Sequence, residues 1–372
     1  MIQLHSSSGA GLSEAGKHRS PFSMPPDPLI FDLPLNAWPI WAQGLFWFWI
    51  AVFGASIGSF LNVVIYRAPR GMSLVHPGSH CPKCGHGIRA RDNLPVLGWL
   101  LLRGKCRDCS ADISPRYPLV EALVGAIFLG VVALYLGGRG ATLPTASAGV
   151  APTWSERQLI GIAAYHLLLV TLLVAAAGMR FDGQTMPRWI VALVAVIGIA
   201  LPCIWPWLRP LPSGLTNLGP APENALIDGI FGAAIGWFVG CVRFADFRTN
   251  RSWKWNPSGD RQLYGVVGAM LGWQAAIAVT LVSTIFGLVL IAAARRRPRF
   301  AGIPNEFGLL LAVLIVLVSW KWGTSILAGS GLDFWLATGI PIIIIQTLAG
   351  WEGAMRLLVM RKLSPAPAKR KK

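Results

Sequence analysis

The first long apolar segment of this chain reads Leu45-Phe-Trp-Phe-Trp-Ile-Ala-Val-Phe-Gly-Ala-Ser-Ile-Gly-Ser-Phe-Leu-Asn-Val-Val-Ile-Tyr66. It carries no charged side chain, and a helix of about 20 apolar residues can cross the hydrocarbon core of a bilayer. The whole chain has this character, because 54% of its 372 residues are hydrophobic and only 13% are charged. Soluble globular proteins carry about 25% charged residues. The composition therefore excludes disorder and argues against an ordinary soluble enzyme.

The apolar runs predict an all-α polytopic membrane protein with about nine transmembrane helices. The boundary between the sixth and seventh runs is placed at Thr280, within unbroken apolar sequence. Residues 1–44 lack a basic start that leads directly into an apolar stretch, so we expect an N-terminal tail rather than a cleavable signal peptide. The predicted spans are residues 45–66, 118–137, 159–179, 189–208, 223–243, 263–279, 280–294, 307–325 and 334–352.

The basic residues predict how the chain is oriented. The formal net charge is +17, from 33 Lys and Arg against 16 Asp and Glu. A basic chain can indicate nucleic-acid binding, but here 27 of the 33 basic residues fall in alternate segments between the predicted spans. Cytoplasmic segments of membrane proteins are enriched in Lys and Arg. We therefore expect a membrane protein with its N-terminus outside, its C-terminus cytoplasmic, and no nucleic-acid partner. The basic segments are residues 67–117, 180–188, 243–262, 295–299 and 356–372.

Four of the six cysteines lie in the first basic segment, 67–117, as Cys81-Pro-Lys-Cys84 and Cys106-Arg-Asp-Cys109. Two pairs with two intervening residues each are typical of knuckles that together close a tetrahedral four-thiolate zinc site. Basic neighbours favour the thiolates that metal binding needs. The pattern predicts a small zinc-binding loop domain whose metal is structural, because four thiolates leave no open position for water.

Two carboxylates are predicted at the same membrane face. Asp182 closes the third span and Asp260 opens the sixth. Two carboxylates that share a water can act as base and acid in peptide hydrolysis. The alternative interpretation is that each marks a solvated helix end, with Asp260 stabilised by the helix dipole. Glu121 and Asp228 also lie in or beside spans and compete as candidates, Asp228 less well because it lies towards the outer side.

The motifs around these residues resemble a specific family. The segments Gly58-Ser-Phe-Leu-Asn-Val-Val-Ile-Tyr-Arg67, His80-Cys-Pro-Lys-Cys-Gly-His86, Asp92-Asn-Leu-Pro-Val96, Leu101-Leu-Arg-Gly-Lys-Cys106 and Ile113-Ser-Pro-Arg-Tyr-Pro-Leu-Val-Glu121 resemble the N-terminal domain of bacterial type IV prepilin peptidases. Gly259-Asp260, with Leu263 and Gly268-Ala-Met-Leu-Gly-Trp273, is similar to the second aspartate segment of that family. The resemblance covers about residues 45–315.

This resemblance implies an aspartyl protease of the bacterial inner membrane that removes the basic leader from prepilins and pseudopilins, as used in type IV pili and type II secretion. It also implies N-methylation of the new N-terminus with S-adenosylmethionine. By position, Asp182 and Asp260 would be the catalytic pair, and Cys81, Cys84, Cys106 and Cys109 the zinc ligands. The predicted division is a tail at 1–44, an N-terminal domain at 45–137, a peptidase domain at 159–325, and an extra span with a basic tail at 326–372.

The chain departs from the family pattern near both aspartates. Pro257 replaces the first glycine of the second motif, and Gln262 stands where a lysine is usual. In the family, a proline comes seven residues after the first aspartate, whereas here Pro187 comes five residues after Asp182. If the sequences are aligned on this proline, Arg180 occupies the usual aspartate position. A divergent member without proteolysis therefore stays open as an alternative, either a methyltransferase alone or a membrane scaffold that docks partners through its zinc loop.

Overall fold

A computed structural model describes residues 35–143, 154–209, 222–243, 260–297, 300 and 303–327 of this chain. The described part is all-helical, and its only β-type pairings are two isolated bridges in the zinc loop. The α-helices within these residues are α1 (Ile40–Arg67), α2 (Leu97–Leu101), α3 (Arg116–Val132), α4 (Glu156–Phe181), α5 (Arg188–Ile204), α6 (Pro222–Arg243), α7 (Asp260–Leu271), α8 (Trp273–Arg296) and α9 (Asn305–Leu327).

Five of the described helices are long and apolar enough to cross a membrane. Two shorter apolar helices, Arg188–Ile204 and Asn305–Trp320, correspond to the predicted fourth and eighth spans. The predicted polytopic all-α class is therefore confirmed. The predicted ninth span at 334–352 lies outside the described residues. The five long spans are Ile40–Arg70, Arg116–Gly137, Glu156–Phe181, Glu223–Cys241 and Trp273–Ala294.

The predicted boundary at Thr280 is wrong. The chain breaks eight residues earlier, at Gly272, whose φ of 89° belongs to the left-handed region that favours glycine. Thr280 lies inside α8, where its hydroxyl donates to the carbonyl of Ala276 and so needs no loop or solvent. Hydropathy could not locate the break because the sequence on both sides of Gly272 is apolar.

Helix α4 forms the centre of the bundle and contacts α1, α3, α5, α7 and α9. A capping box formed by Ser155 and Gln158 starts it, and most of its apolar side chains are covered by other helices rather than by lipid. His166 is fully buried there, with its Nδ1 2.6 Å from the Tyr135 hydroxyl and its ring stacked on Trp320. Burial of polar ring atoms is thus partly compensated by hydrogen bonding within the bundle.

Glycines set the closest helix contacts. In the α1–α3 pair, a Cβ at Gly58 would lie 2.8 Å from the Cα of Glu121. In the α6–α7 pair, a Cβ at Gly268 would lie 2.6 Å from the carbonyl carbon of Gly232, and one at Gly236 would lie 2.8 Å from that of Tyr264. Only glycine allows such backbone contact. The pairing also shows that α6 and α7 are antiparallel, because residue numbers rise in one helix as they fall in the other.

Candidate active site and metal centre

The two cysteine pairs form two turns of the same kind. The Cys81 amide donates to the His86 carbonyl and the Gly85 amide to the Cys81 carbonyl, both at 2.9 Å. In the second turn, the Cys106 amide donates to Ala111 at 2.8 Å, and Ser110 donates back to Cys106 at 2.9 Å. Each turn contains one left-handed residue, with φ of 74° at Gly85 and 58° at Ser110. This repeated geometry aims each cysteine pair into the same space.

The four thiols converge as the spacing predicted. All four Sγ atoms of Cys81, Cys84, Cys106 and Cys109 lie within 4.8 Å of one another, and the Cys81 and Cys109 sulfurs are 3.8 Å apart. A tetrahedral site with Zn–S bonds of about 2.3 Å requires sulfurs about 3.8 Å apart. Backbone amides of Cys84 and Lys83 lower the pKa of Cys81 to about 6, which favours a thiolate there, whereas burial and the neighbouring thiols raise the pKa of Cys109 in the same cluster. The residues present therefore fit a four-thiolate zinc ion.

Polar contacts stabilise the zinc loop internally, and one of them joins it to the helical bundle. Asp92 accepts two hydrogen bonds from Arg107, at 2.5 and 2.7 Å, and this guanidinium holds the pKa of Asp92 below its usual range. The Trp99 indole donates to the Ile113 carbonyl at 2.9 Å. Glu121, a competing candidate in the sequence, accepts the amide hydrogen of Val96 at 2.7 Å. Its carboxylate thus ties the loop to α3.

Asp182 caps the C-terminus of α4, where a turn with Gly183 at φ 69° ends the helix. Its carboxylate forms an ion pair with Arg116, the first residue of α3. A second Arg116 nitrogen donates to the Gly178 carbonyl at 3.2 Å, and the guanidinium lies 5.4 Å from the Phe181 ring centre. The Asp182 side chain is 26% exposed, so it is at once positioned by Arg116 and accessible to water.

Contacts along the bundle place the start of α7 at the same end as the C-terminus of α4. Arg180 of α4 forms an ion pair at 3.5 Å with Glu306, in the first turn of α9. Two residues further on, a Cβ at Gly308 would lie 2.8 Å from the ring of Phe286 in α8. One turn earlier in α8, the Ser283 hydroxyl lies 3.1 Å from the hydroxyl of Tyr264, in the second turn of α7. These steps connect the C-terminus of α4 and the start of α9 with the first half of α7, through the middle of α8.

Asp260 is the first residue of α7. Its side chain lies outside the described part of the chain, as do residues 244–259, which include Pro257 and Gly259. The distance between the Asp182 and Asp260 carboxylates therefore stays a prediction.

Asp228, the other competing carboxylate, lies in α6 and is 9% exposed. Among the described residues, its Oδ1 has no hydrogen-bond partner. Near the opposite end of the same helix, a Cβ at Gly240 would lie 2.8 Å from the Arg261 carbonyl oxygen. Since Arg261 is the second residue of α7, Asp228 and the start of α7 lie at opposite ends of α6. This separation makes Asp228 a poor partner for the predicted pair.

A cleft of about 340 Å³ lies between the last turns of α1 and the segments 74–79 and 93–95. Buried Arg67 donates to the carbonyls of Ser73 and Gly78 and so holds the first segment over the helix. The lining combines apolar surface with hydroxyl, amide and guanidinium groups. It includes Ser56, Ser59, Phe60, Arg67, Leu74 and Asn93.

Arg209 is a residue that the sequence interpretation missed, because it is one of the six basic residues that fall outside the five basic segments. Its side chain is 7% exposed and enters the bundle. There it donates to carbonyl oxygens of Gly198 in α5, Ala225 in α6, and Ala269 and Met270 in α7. Hydropathy does not predict this placement, because the hydropathy of an arginine after a span is the same whether its side chain faces water or enters the bundle.

Comparison with known proteins agrees with the motifs. The family profile described as the bacterial peptidase A24 N-terminal domain matches residues 52–135. The chain is 33% identical over 287 residues to a prepilin leader peptidase/N-methyltransferase of Myxococcus xanthus, covering 74% of this chain and 71% of that protein. It is 32% identical over 314 residues to the protein of the same name from Aeromonas hydrophila, covering 77% and 94% respectively.

A third relative of that name, from Klebsiella pneumoniae, is 34% identical over 242 residues, which cover 63% of this chain and 87% of that protein. No solved structure matches the chain. The matches extend well beyond the zinc loop and include the helices that carry Asp182 and Asp260. The chain therefore belongs to the prepilin leader peptidase/N-methyltransferase family.

Proposed function

We propose that this protein is a membrane-embedded aspartyl endopeptidase that cleaves the basic leader from type IV prepilins or pseudopilins and then N-methylates the new N-terminus. The observation that carries the proposal is the placement of Asp182 and the start of α7 at one end of an apolar bundle. A prepilin has a basic leader followed by an apolar helix, so its scissile bond lies at the membrane surface. An aspartyl protease that cleaves this bond needs its two carboxylates at the membrane surface.

In the proposed reaction, Asp182 and Asp260 share the water that attacks the scissile carbonyl. One carboxylate takes a proton from the water, and the other, protonated, donates to the carbonyl oxygen. The C–N bond then breaks as the amine accepts a proton, so leader acid and mature amine are released. Two carboxylates at close range titrate as a unit. The two carboxylates therefore share one proton, and the reaction needs no third acidic group.

Arg116 would orient Asp182 in this reaction. The arginine follows the zinc loop directly, through Ile113-Ser-Pro-Arg116, and contacts both the Asp182 carboxylate and the Gly178 carbonyl. Zinc bound by Cys81, Cys84, Cys106 and Cys109 would hold the loop. The four thiolates would fill all its coordination positions, so none would be left for a reacting water. The proposed role of the metal is thus to fix the segment that carries Arg116.

For methylation, the cleft beside α1 is the place we propose for the methyl donor. S-adenosylmethionine supplies an activated methyl group when bound. Ligand pockets of about 300–1,000 Å³ with apolar walls and a few polar groups are typical of such small molecules. Phe60 and Leu74 offer apolar surface, while Ser59, Asn93 and Arg67 offer hydrogen-bonding groups. The cleft adjoins the zinc loop, which places it near the same membrane face as Asp182.

The orientation is part of the proposal. We place the zinc loop, Asp182, Asp260 and the C-terminus on the cytoplasmic side of the bacterial inner membrane, with the N-terminus outside. Support comes from the distribution of Lys and Arg, of which the segment 67–117 alone holds nine. A basic leader would approach this positive face, so the local acids would have to supply its attraction. We also propose the division into an N-terminal domain at 45–137 and a peptidase domain at 159–325.

The test is co-expression with a prepilin and measurement of the mass of its N-terminus, because loss of the leader and gain of a methyl group are separate mass changes. We expect shortened, methylated product from the wild type and intact prepilin from Asp182→Asn and Asp260→Asn. Asp112→Asn is the matched control, since this carboxylate is exposed in the zinc loop. Shortening by both single variants would remove these residues from the catalytic pair.

The same measurement separates the alternatives. A divergent methyltransferase would leave prepilin intact but methylate a pilin supplied without its leader. A scaffold would bind prepilin and produce neither mass change.

A further inference from the structure

Helix α7 ends inside the bundle rather than at a membrane surface. Its 12 residues span about 18 Å at 1.5 Å per residue, which is shorter than the roughly 30 Å of a hydrocarbon core. The chain then turns at Gly272 and continues as α8. The last carbonyl groups of any helix lack intrahelical partners, and in an apolar setting each must find another donor.

Arg209 supplies that donor. Its Nη2 lies 2.5 Å from the Ala269 oxygen, and its Nε lies 3.4 Å from that of Met270. The same guanidinium reaches Ala225 in α6 at 2.9 Å and Gly198 in α5 at 3.2 Å. A cation at a helix C-terminus is favoured by the dipole. One side chain therefore ties the end of α7 to two neighbouring helices.

A second side chain reinforces this attachment. The Tyr165 hydroxyl of α4 lies 2.6 Å from the Gly198 oxygen and 3.2 Å from that of Met270. Along its length, α7 contacts α6 through Gly232 and Gly268 at backbone distance. Such contact fixes the distance between the axes. The hydrogen bonds at the C-terminus add an attachment that an axial shift of α7 would break.

An axial shift of α7 would displace its N-terminal residue. One residue of slip moves every side chain by about 1.5 Å along the axis and rotates it by about 100°. We propose that Arg209 is a positioning residue that fixes the depth and rotation of α7, and thereby places Asp260 against Asp182 at the other end. This inference rests on the proposed function, because it assumes that Asp260 belongs to the catalytic pair.

The test uses the full-length protein in lipid nanodiscs with a prepilin substrate. Arg209→Met keeps the apolar stem of the side chain and removes its donors, whereas Arg209→Lys keeps a cation with three donors. Arg139→Met is the matched control, since Arg139 is exposed and donates to the Asn36 side chain. Hydrogen–deuterium exchange of peptides from α7 and from α4 reports directly on the attachment.

We expect Arg209→Met to lower kcat by about 10- to 100-fold, because small misplacements of catalytic groups cost that much. KM should change by less than about twofold if ground-state binding is kept. Exchange should accelerate in α7 and stay unchanged in α4. Arg209→Lys should recover most of the kcat, and Arg139→Met should match the wild type.

Wild-type kcat in Arg209→Met would overturn the proposal, as would equal acceleration of exchange in α4 and α7, which indicates general destabilisation. The proposal would also be contradicted if Arg209→Lys showed α7 exchange as slow as in the wild type but a kcat as low as that of Arg209→Met. Failure of the proposed function would look different. In that case the wild type would not shorten prepilin, and accelerated exchange confined to α7 in Arg209→Met would still show the attachment.

Discussion

Replacing Gly268 by alanine tests whether α7 depends on direct backbone contact with α6. The added Cβ would lie 2.6 Å from the carbonyl carbon of Gly232, whereas carbon atoms in contact are about 3.5–4.0 Å apart. One of the two helix backbones must therefore move by about 1 Å. Overpacking of this kind costs about 1–3 kcal/mol, and we expect the upper part of that range because the obstructing atoms are backbone.

Gly265→Ala is the matched control on the same helix. A Cβ there would lie 3.5 Å from its nearest neighbour, the Ala233 oxygen, which is an ordinary contact. Both substitutions gain about 1 kcal/mol of helix propensity, so this gain cancels when the two variants are compared. The remaining difference in the free energy of unfolding should be about 1–3 kcal/mol in favour of Gly265→Ala.

The assay is equilibrium unfolding of both variants in mixed micelles, followed by prepilin cleavage on folded protein. Gly268→Ala should also cleave more slowly, since the displacement moves the helix that begins with Asp260. Equal unfolding free energies for the two variants would refute the packing argument. Slower cleavage by Gly265→Ala than by Gly268→Ala would refute its extension to catalysis.

Two further predictions concern the connection between the zinc loop and Asp182. Arg116→Gln removes the ion pair with Asp182 and should lower kcat for prepilin cleavage by about 10- to 100-fold. Arg89→Gln loses only an exposed contact with Asp108 and should keep the wild-type kcat. Equal kcat values for the two variants would refute the role of Arg116. Replacing Cys81 by serine should abolish the zinc detected by elemental analysis and make residues 67–117 sensitive to protease. Cys203→Ser should retain the zinc, and retained zinc in both variants would exclude the four-thiolate site.

Much of the fold could be predicted because the bilayer demands a simple pattern. Runs of about 20 apolar residues are required to cross it, so α1, α3, α4 and α6 could be located by composition alone. The four-cysteine cluster was equally predictable, since knuckle geometry is local and depends on two residues between each cysteine pair. Both features depend on residues close together in the chain.

Residues at helix ends were harder to interpret. Asp182 could be located at the end of α4, but its partner Arg116 is 66 positions away and no local pattern indicates that the two meet. Glu121 was considered as a catalytic candidate and instead accepts a hydrogen bond from the zinc loop. No sequence pattern distinguishes Gly265 from Gly268, although a Cβ at Gly268 would lie 2.6 Å from the Gly232 carbonyl carbon and one at Gly265 would come no closer than 3.5 Å to α6.

The membrane class, the four-cysteine loop and the family could be identified from the amino-acid sequence, because each depends on composition or on short spacing. Where α7 ends and what holds it there became clear from the packing of the helices. Apolar residues lie on both sides of Gly272, so the break follows from backbone conformation and from the donors that Arg209 brings to the freed carbonyls. In a bilayer those carbonyls cannot turn to water, and a side chain from another part of the chain must satisfy them.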